Sequence, residues 1–300
     1  MSSFNQYDSL TKNDSMESSP PAHQKPGRLP RFDVNPRNHK VAISFHIFMI
    51  FLTSCLIPEA VFFTLTHLTT IKLQIILGIV TPIFGVVSLF SLFMRTWRLL
   101  KPRSTFLPLG QKSRLGLDYF DWNFIAGFCA VSALITAGIS LKPSNLRIVA
   151  LPLPLLLLQV CLQMLILIPV RALNLRAPFR FSSIARGDHL RPAAFVIAED
   201  VVAVDAKQGI VFREQWNARY DASPPFRTFL ARMDWMWGLT GTLVAGGCIA
   251  VSFGVKKTDI GWAVCWGAPW VWVAIMSYIT IKMAQSMLRQ EEKMLQDLGP

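Results

Sequence analysis

Residues 171–235 read RALNLRAPFRFSSIARGDHLRPAAFVIAEDVVAVDAKQGIVFREQWNARYDASPPFRTFLARMDW, and the reading of this stretch decides the fold. It is the one long polar segment between apolar blocks, and it carries ten of the thirty Lys and Arg residues of the 300-residue chain. Phe195, Ile197, Val202 and Val204 are β-prone, and Ile210-Val211-Phe212 resumes the run after Ala206-Lys207-Gln208-Gly209. Two such runs separated by a short connection ending in Gly are expected to form a β-hairpin over 195–216. Ser223-Pro224 then offers an N-cap followed by Pro at the first helical position. Phe226, Phe229, Leu230, Met233 and Trp237 follow at helical spacing, which predicts an interfacial helix leading into the next apolar block.

Outward from this segment the apolar residues come in blocks. A run of about 20 largely uncharged residues crosses a hydrocarbon core of about 30 Å as a helix. Six runs qualify, at about Val41 to Leu65, Leu73 to Met94, Trp122 to Leu141, Ile148 to Val170, Met236 to Val255 and Gly261 to Ile281. The expected fold class is an all-α membrane protein, with six transmembrane helices as three hairpins and a small cytoplasmic β-hairpin between helices 4 and 5. Its parts are a disordered tail at 1–40, helices 1–4 at 41–170, the polar loop at 171–235, helices 5–6 at 236–283 and a tail at 284–300. In that last tail Met287, Leu288, Leu295 and Leu298 oppose Arg289, Glu291, Glu292 and Lys293, an amphipathic pattern.

The charges orient this arrangement. Of the thirty basic residues, 25 fall in the N-terminal tail, the two long connections and the C-terminus, and five in the three short turns. Basic residues concentrate on the cytoplasmic side of multi-pass proteins, so both termini are expected there. The same rule accounts for the net charge of +12 without nucleic acid. Partners expected from the sequence are the lipid bilayer itself, and anionic headgroups or a cytoplasmic protein met through 171–235. Endoplasmic reticulum, vacuole and plasma membrane all fit.

Several residues stand out inside the spans. Glu59 is an acid well within the first span, where a carboxylate is costly unless it pairs, takes up a proton or faces the bundle interior. Gln159 and Gln163 share one helix face, and Trp266 and Trp270 lie deep in the last span. These five, Glu59, Gln159, Gln163, Trp266 and Trp270, are the candidate ligand-binding set, with packing as the competing account. Gly238, Thr242, Gly246, Ala250 and Gly254 repeat every four residues, a pattern that lets two membrane helices approach closely. Asp118 and Asp121 sit one turn apart where the third span begins, placed either to hold a cation or to complement the helix dipole.

Absences bound the chemistry. The five cysteines (Cys55, Cys129, Cys161, Cys248 and Cys265) all fall in apolar blocks, which argues against disulfides or zinc. The chain has no GxxxxGK[ST], GxGxxG or GxSxG motif, and its five histidines form no visible metal or haem set. No cofactor and no metal is expected, and the sequence identifies no catalytic residue. The run from Arg191 to Asp205, together with Phe212 to Phe226, resembles a loop signature of multi-pass membrane proteins of filamentous fungi. That resemblance covers about residues 170–285 and implies an accessory place in secondary metabolism, with no activity attached. The expected function is to bind or move a lipophilic small molecule, or to anchor a partner. The alternative is a membrane-embedded enzyme acting on a lipophilic substrate at the cytoplasmic interface.

Overall fold

The computed structural model of the chain describes residues 51–101, 104–111 and 116–297. A π-helical turn, Leu52–Leu56, runs into α1 (Ile57–Leu68). The helices α2 (Leu73–Leu100), α3 (Tyr119–Ser140), α4 (Leu146–Val149) and α5 (Pro152–Ala172) follow. A turn-rich loop leads to α6 (Ala193–Val204), α7 (Gly209–Ala222), α8 (Pro224–Gly254) and α9 (Thr258–Asp297). Among the described residues there are thus nine α-helices, and five of them (α2, α3, α5, α8 and α9) are long and apolar enough to cross a membrane.

One feature of the expected fold class is corrected, and another falls partly outside the described residues. The first span, about Val41 to Leu65, lies partly outside the described residues, and its described part is not among the five candidate spans. The β-hairpin is overturned outright: residues 195–216 form the helical pair α6–α7, and no strand occurs among the described residues. Isolated bridges at Arg176–His189 and Phe181–Ile184 are the β pairing present there.

The reason for the helical pair is tertiary. The α6 helix is covered on both faces, with Phe195, Val196, Glu199, Asp200 and Ala203 buried on one and Ala194, Ile197, Ala198, Val201 and Val202 lining a cavity on the other. A helix buried on both faces shows no single apolar stripe, and its β-branched residues then imitate a strand. Its first N–H groups are capped from far away. The buried carboxylate of Asp234 on α8 accepts from Ala193 N at 3.0 Å and Ala194 N at 2.8 Å, while Arg171 of α5 pairs with it at 3.3 Å. The turn between the helices is genuine. Lys207 and Gly209 take positive φ, and a Cβ on Gly209 would stand 3.0 Å from Thr105 O.

The bundle core is set by close helix contacts. Along much of its length α8 packs on α5 and α9. Its buried side is Gly238, Gly241, Ala245, Cys248 and Ser252, spaced three and four apart. Phe62, Trp262 and Trp266 stack in series, with centroids 4.6 and 5.0 Å apart, and tie α1 to α9. At the far end from the polar loop, Arg147 donates to the Ser252, Phe253 and Val255 carbonyls at 2.6, 2.5 and 2.8 Å. Those carbonyls are the ones a helix C-terminus leaves unsatisfied, so Arg147 closes α8. Two helices outrun their expected spans: α8 unites the interfacial segment with its span, and α9 extends about 60 Å. The extension of α9 is held by Glu291, which pairs with Arg219 of α7 and accepts from Ser223 Oγ at 2.6 Å.

Candidate functional site

An apolar cavity of about 830 Å³ lies among α5, α6, α8 and α9. Leu153, Leu157 and Val160 of α5, Leu230 and Met233 of α8, and Trp270, Trp272 and Val273 of α9 supply its walls. The cavity face of α6 covers its end nearest the polar loop, with Trp216 of α7 beside it. A second cavity of about 290 Å³ lies against α2, α3, α5 and α9, lined by Ser88, Asn123, Phe124, Phe128, Val131 and Gln159 among others. Phe120, Leu153, Leu156, Val160 and Trp270 line both.

The candidate ligand-binding residues divide between these spaces and the core. Trp270 lines both cavities, and Gln159 lines the smaller. Gln163 stands next to a separate small cleft under the loop and bonds Asn123 together with Gln159. Trp266 is fully buried in the stacked aromatic series instead. Glu59 is half-buried on α1, lines neither cavity, and its Oε1 has no hydrogen-bond partner among the described residues. The small-residue repeat also divides. A Cβ on Gly238 would meet Leu165 at 2.9 Å, whereas Gly246 and Gly254 have nothing within 4 Å. The closest approach is at Gly241, one turn from Gly238 and off the four-residue repeat. A Cβ there would collide with Cys161 Sγ and meet the Trp272 ring at 2.9 and 3.0 Å.

Behind α6 lies a buried charged network that the sequence shows only as scattered residues. Arg95 of α2 pairs with Asp118 at 2.5 Å, with Asp121 at 3.5 Å and with Asp205. Arg213 of α7 reaches Asp200 at 2.7 Å, Glu199 at 3.5 Å and Asp118 at 3.5 Å, and donates to Phe106 O at 3.3 Å. Asp200 also accepts from Ser182 Oγ at 2.5 Å and Phe120 N at 3.2 Å. Asp118 accepts from Asp121 N at 2.8 Å, so it caps α3 while serving the network. None of these carboxylates lines either cavity. The arrangement joins α2, α3, α6 and α7 into one block and fixes the helix that closes the large cavity. Sequence reasoning reached Asp118 and Asp121 by their spacing. Their cations come from 23 and 95 residues away, which no local pattern reports.

Two cations face five carboxyl groups here, and burial penalises every charge that lacks a partner. Burial raises the Asp200 carboxyl to about 7, with neighbouring Asp118 adding to the rise and Arg213 opposing it. Glu199 and Asp205 also move up through burial, against the pull of Arg213 and Arg95 respectively. An unfolded chain releases these protons near pH 4. Between about pH 4 and pH 7 the folded state therefore binds more protons than the unfolded one, and stability falls as pH rises. Thermal midpoints of the detergent-solubilised protein are expected to decline from pH 5 to pH 7 and then level, with a shallower decline in Asp200→Asn. A midpoint that rises over that interval, or an unchanged slope in the variant, contradicts this account.

A family model described as Domain of unknown function (DUF8766) matches residues 16–295. The chain belongs to that family. Neither a curated protein nor a solved structure matches it. The match takes in both cavities, the charged network and the five candidate spans, save the last two residues of the fifth.

Proposed function

We propose that the protein binds a lipophilic small molecule in the 830 Å³ cavity under α6. The observation that carries this reading is the composition of the walls. A space of that size is within the range of ligand sites, roughly 300–1,000 Å³, and such sites are mostly apolar with a few placed polar groups. Interiors are otherwise packed almost without voids, so an apolar space this large suits an apolar occupant. The rigid mounting of α6 on the charged network favours a formed site over a gap left by loose packing. The likeness to fungal membrane proteins points to a metabolite pathway as the source of the occupant.

Filling the cavity tests this. Ala198 is on the cavity face of α6, and Ala198→Trp puts an indole where the ligand would sit. The purified variant should bind N-phenyl-1-naphthylamine, an apolar fluorophore, at least about tenfold more weakly than the parent. It should melt no lower, because a filled void restores contacts. Undiminished binding rejects the reading.

Orientation belongs to the same proposal. We propose that the face carrying α6, α7 and most of the described basic residues is the cytoplasmic one, a reading supported by the excess of Lys and Arg there. Trp97, Trp122, Trp235 and Tyr278 are exposed on these helices, as ring residues at headgroup level would be. Arg232 and Lys282 accompany them there, in reach of anionic lipid. A single cysteine placed at exposed Arg186 of a cysteine-free variant should react with a membrane-impermeant maleimide only after the cytoplasmic side is opened. Labelling of intact cells reverses the orientation.

A further inference from the structure

The smaller cavity says what the lipophile carries. Four polar side chains form a chain beside it. Gln159 Nε2 donates to Asn123 O at 2.9 Å and to Asn123 Oδ1 at 2.5 Å. Gln163 Nε2 donates to the same Oδ1 at 2.9 Å, and Tyr119 OH donates to Gln163 Oε1 at 2.5 Å. Amide oxygens and nitrogens are assigned from their surroundings, and here the surroundings leave one solution. The backbone carbonyl of Asn123 accepts only, so the Gln159 atom facing it is the nitrogen. That nitrogen also needs an acceptor in the Asn123 side chain, which sets Oδ1. Gln163 must then present its nitrogen to Oδ1 and its oxygen to Tyr119.

Once the chain is so directed, two groups remain over. Among the described residues Asn123 Nδ2, an amide donor, has no acceptor, and Gln159 Oε1, an amide acceptor, has no donor. Both residues line the smaller cavity. Unused polar groups in a membrane-spanning region are costly unless something else satisfies them. A ligand hydroxyl supplies both halves, since its oxygen accepts from Asn123 and its proton is donated to Gln159. A carbonyl would answer Asn123 alone. A carboxylate would oppose Gln159 Oε1, and among the described residues no charged side chain lines either cavity to neutralise it.

We infer that the ligand is an uncharged lipophilic alcohol, its hydroxyl held between Asn123 and Gln159 in the smaller cavity and its hydrocarbon body in the larger. The five shared lining residues make the two spaces neighbours, so one molecule with a terminal hydroxyl can occupy both. This inference rests on the reading of the large cavity as a lipophile site. It adds the recognition of a functional group to a site that otherwise selects only by size and apolarity.

Chain-matched competitors test it on the full-length protein in nanodiscs. The fluorophore N-phenyl-1-naphthylamine is followed by energy transfer from tryptophan, because Trp216, Trp237, Trp270 and Trp272 line the large cavity. Hexadecan-1-ol, hexadecane and hexadecanoate are compared at equal mole fraction in the nanodisc, with empty discs subtracted. Two hydrogen bonds should make the alcohol about tenfold more potent than the alkane. The carboxylate at pH 8 should be weaker than the alcohol. Gln159→Leu should reduce the alcohol's advantage to threefold or less, roughly the loss of one or both bonds, while retaining the fluorophore. Gln159→Met is the substitute if that variant melts early. Equal potency of alcohol and alkane, or an undiminished advantage in both Gln159 variants, overturns the inference and leaves the lipophile site standing if Ala198→Trp still weakens fluorophore binding at least about tenfold. A parent that binds no fluorophore removes both.

Discussion

Arg213→Ala should destabilise the polar face by about 3–5 kcal/mol, the cost of removing one partner from a buried ionic cluster. Arg213 is fully buried, and its guanidinium is the shared cation of Asp118, Glu199 and Asp200. Without it three carboxyl groups face one another in a water-poor space, and the Phe106 carbonyl loses its donor. Arg213→Lys keeps the charge but not the planar fork, so it should fall between parent and alanine. Combining Arg213→Met with Asp200→Asn should recover part of the loss, because it withdraws an unpaired acid along with the cation. The measurement is the temperature at which the monodisperse size-exclusion peak is lost, with exposed Arg227→Ala as reference. If Arg213→Ala melts with Arg227→Ala, the network is not what holds α6 in place.

Gly241→Val should be the most damaging single change within the spans, at about 3 kcal/mol, the upper end of the usual cost of overpacking. Gly241 is where α5, α8 and α9 come together. Its missing side chain leaves room for Cys161 Sγ and the Trp272 ring. Trp272 cannot easily withdraw, because its Nε1 donates to Thr240 Oγ1 at 3.1 Å and its ring meets Trp237 edge-on at 5.2 Å. Gly241→Ala should cost less, and Cys161→Ala should partly rescue it by removing the sulfur in the way. Gly246→Ala, with nothing within 4 Å, should be neutral. An equal effect at Gly241 and Gly246 would mean that this face of α8 does not set the helix separation.

These two positions mark where sequence reading ends. The small-residue pattern of α8 was legible, but a helix has several such registers. Only the neighbours choose between Gly238–Gly241–Ala245 and the four-residue repeat through Gly246 and Gly254. Trp266 and Trp270 look equivalent in sequence, four residues apart. One closes an aromatic stack and the other lines two cavities, because Phe62 and Trp262 stand on one side and empty space on the other.

The sequence by itself determined that the chain carries apolar runs long enough to cross a membrane and that its basic residues concentrate outside them, in the tails and long connections. Both properties are sums over many residues, of apolar length in one case and charge in the other, so no single contact can reverse them. It also marked Gln159 and Gln163 as a polar pair within a span. Tertiary structure alone decided that 195–216 is helical, that Asp205 meets Arg95 and the acids of α6 meet Arg213, and that the two glutamines share Asn123. The physical reason is common to all three. Residues buried on every side lose the alternation with solvent that periodicity reads. Their partners, caps and counter-charges come from segments tens of residues away, where local propensity carries no information.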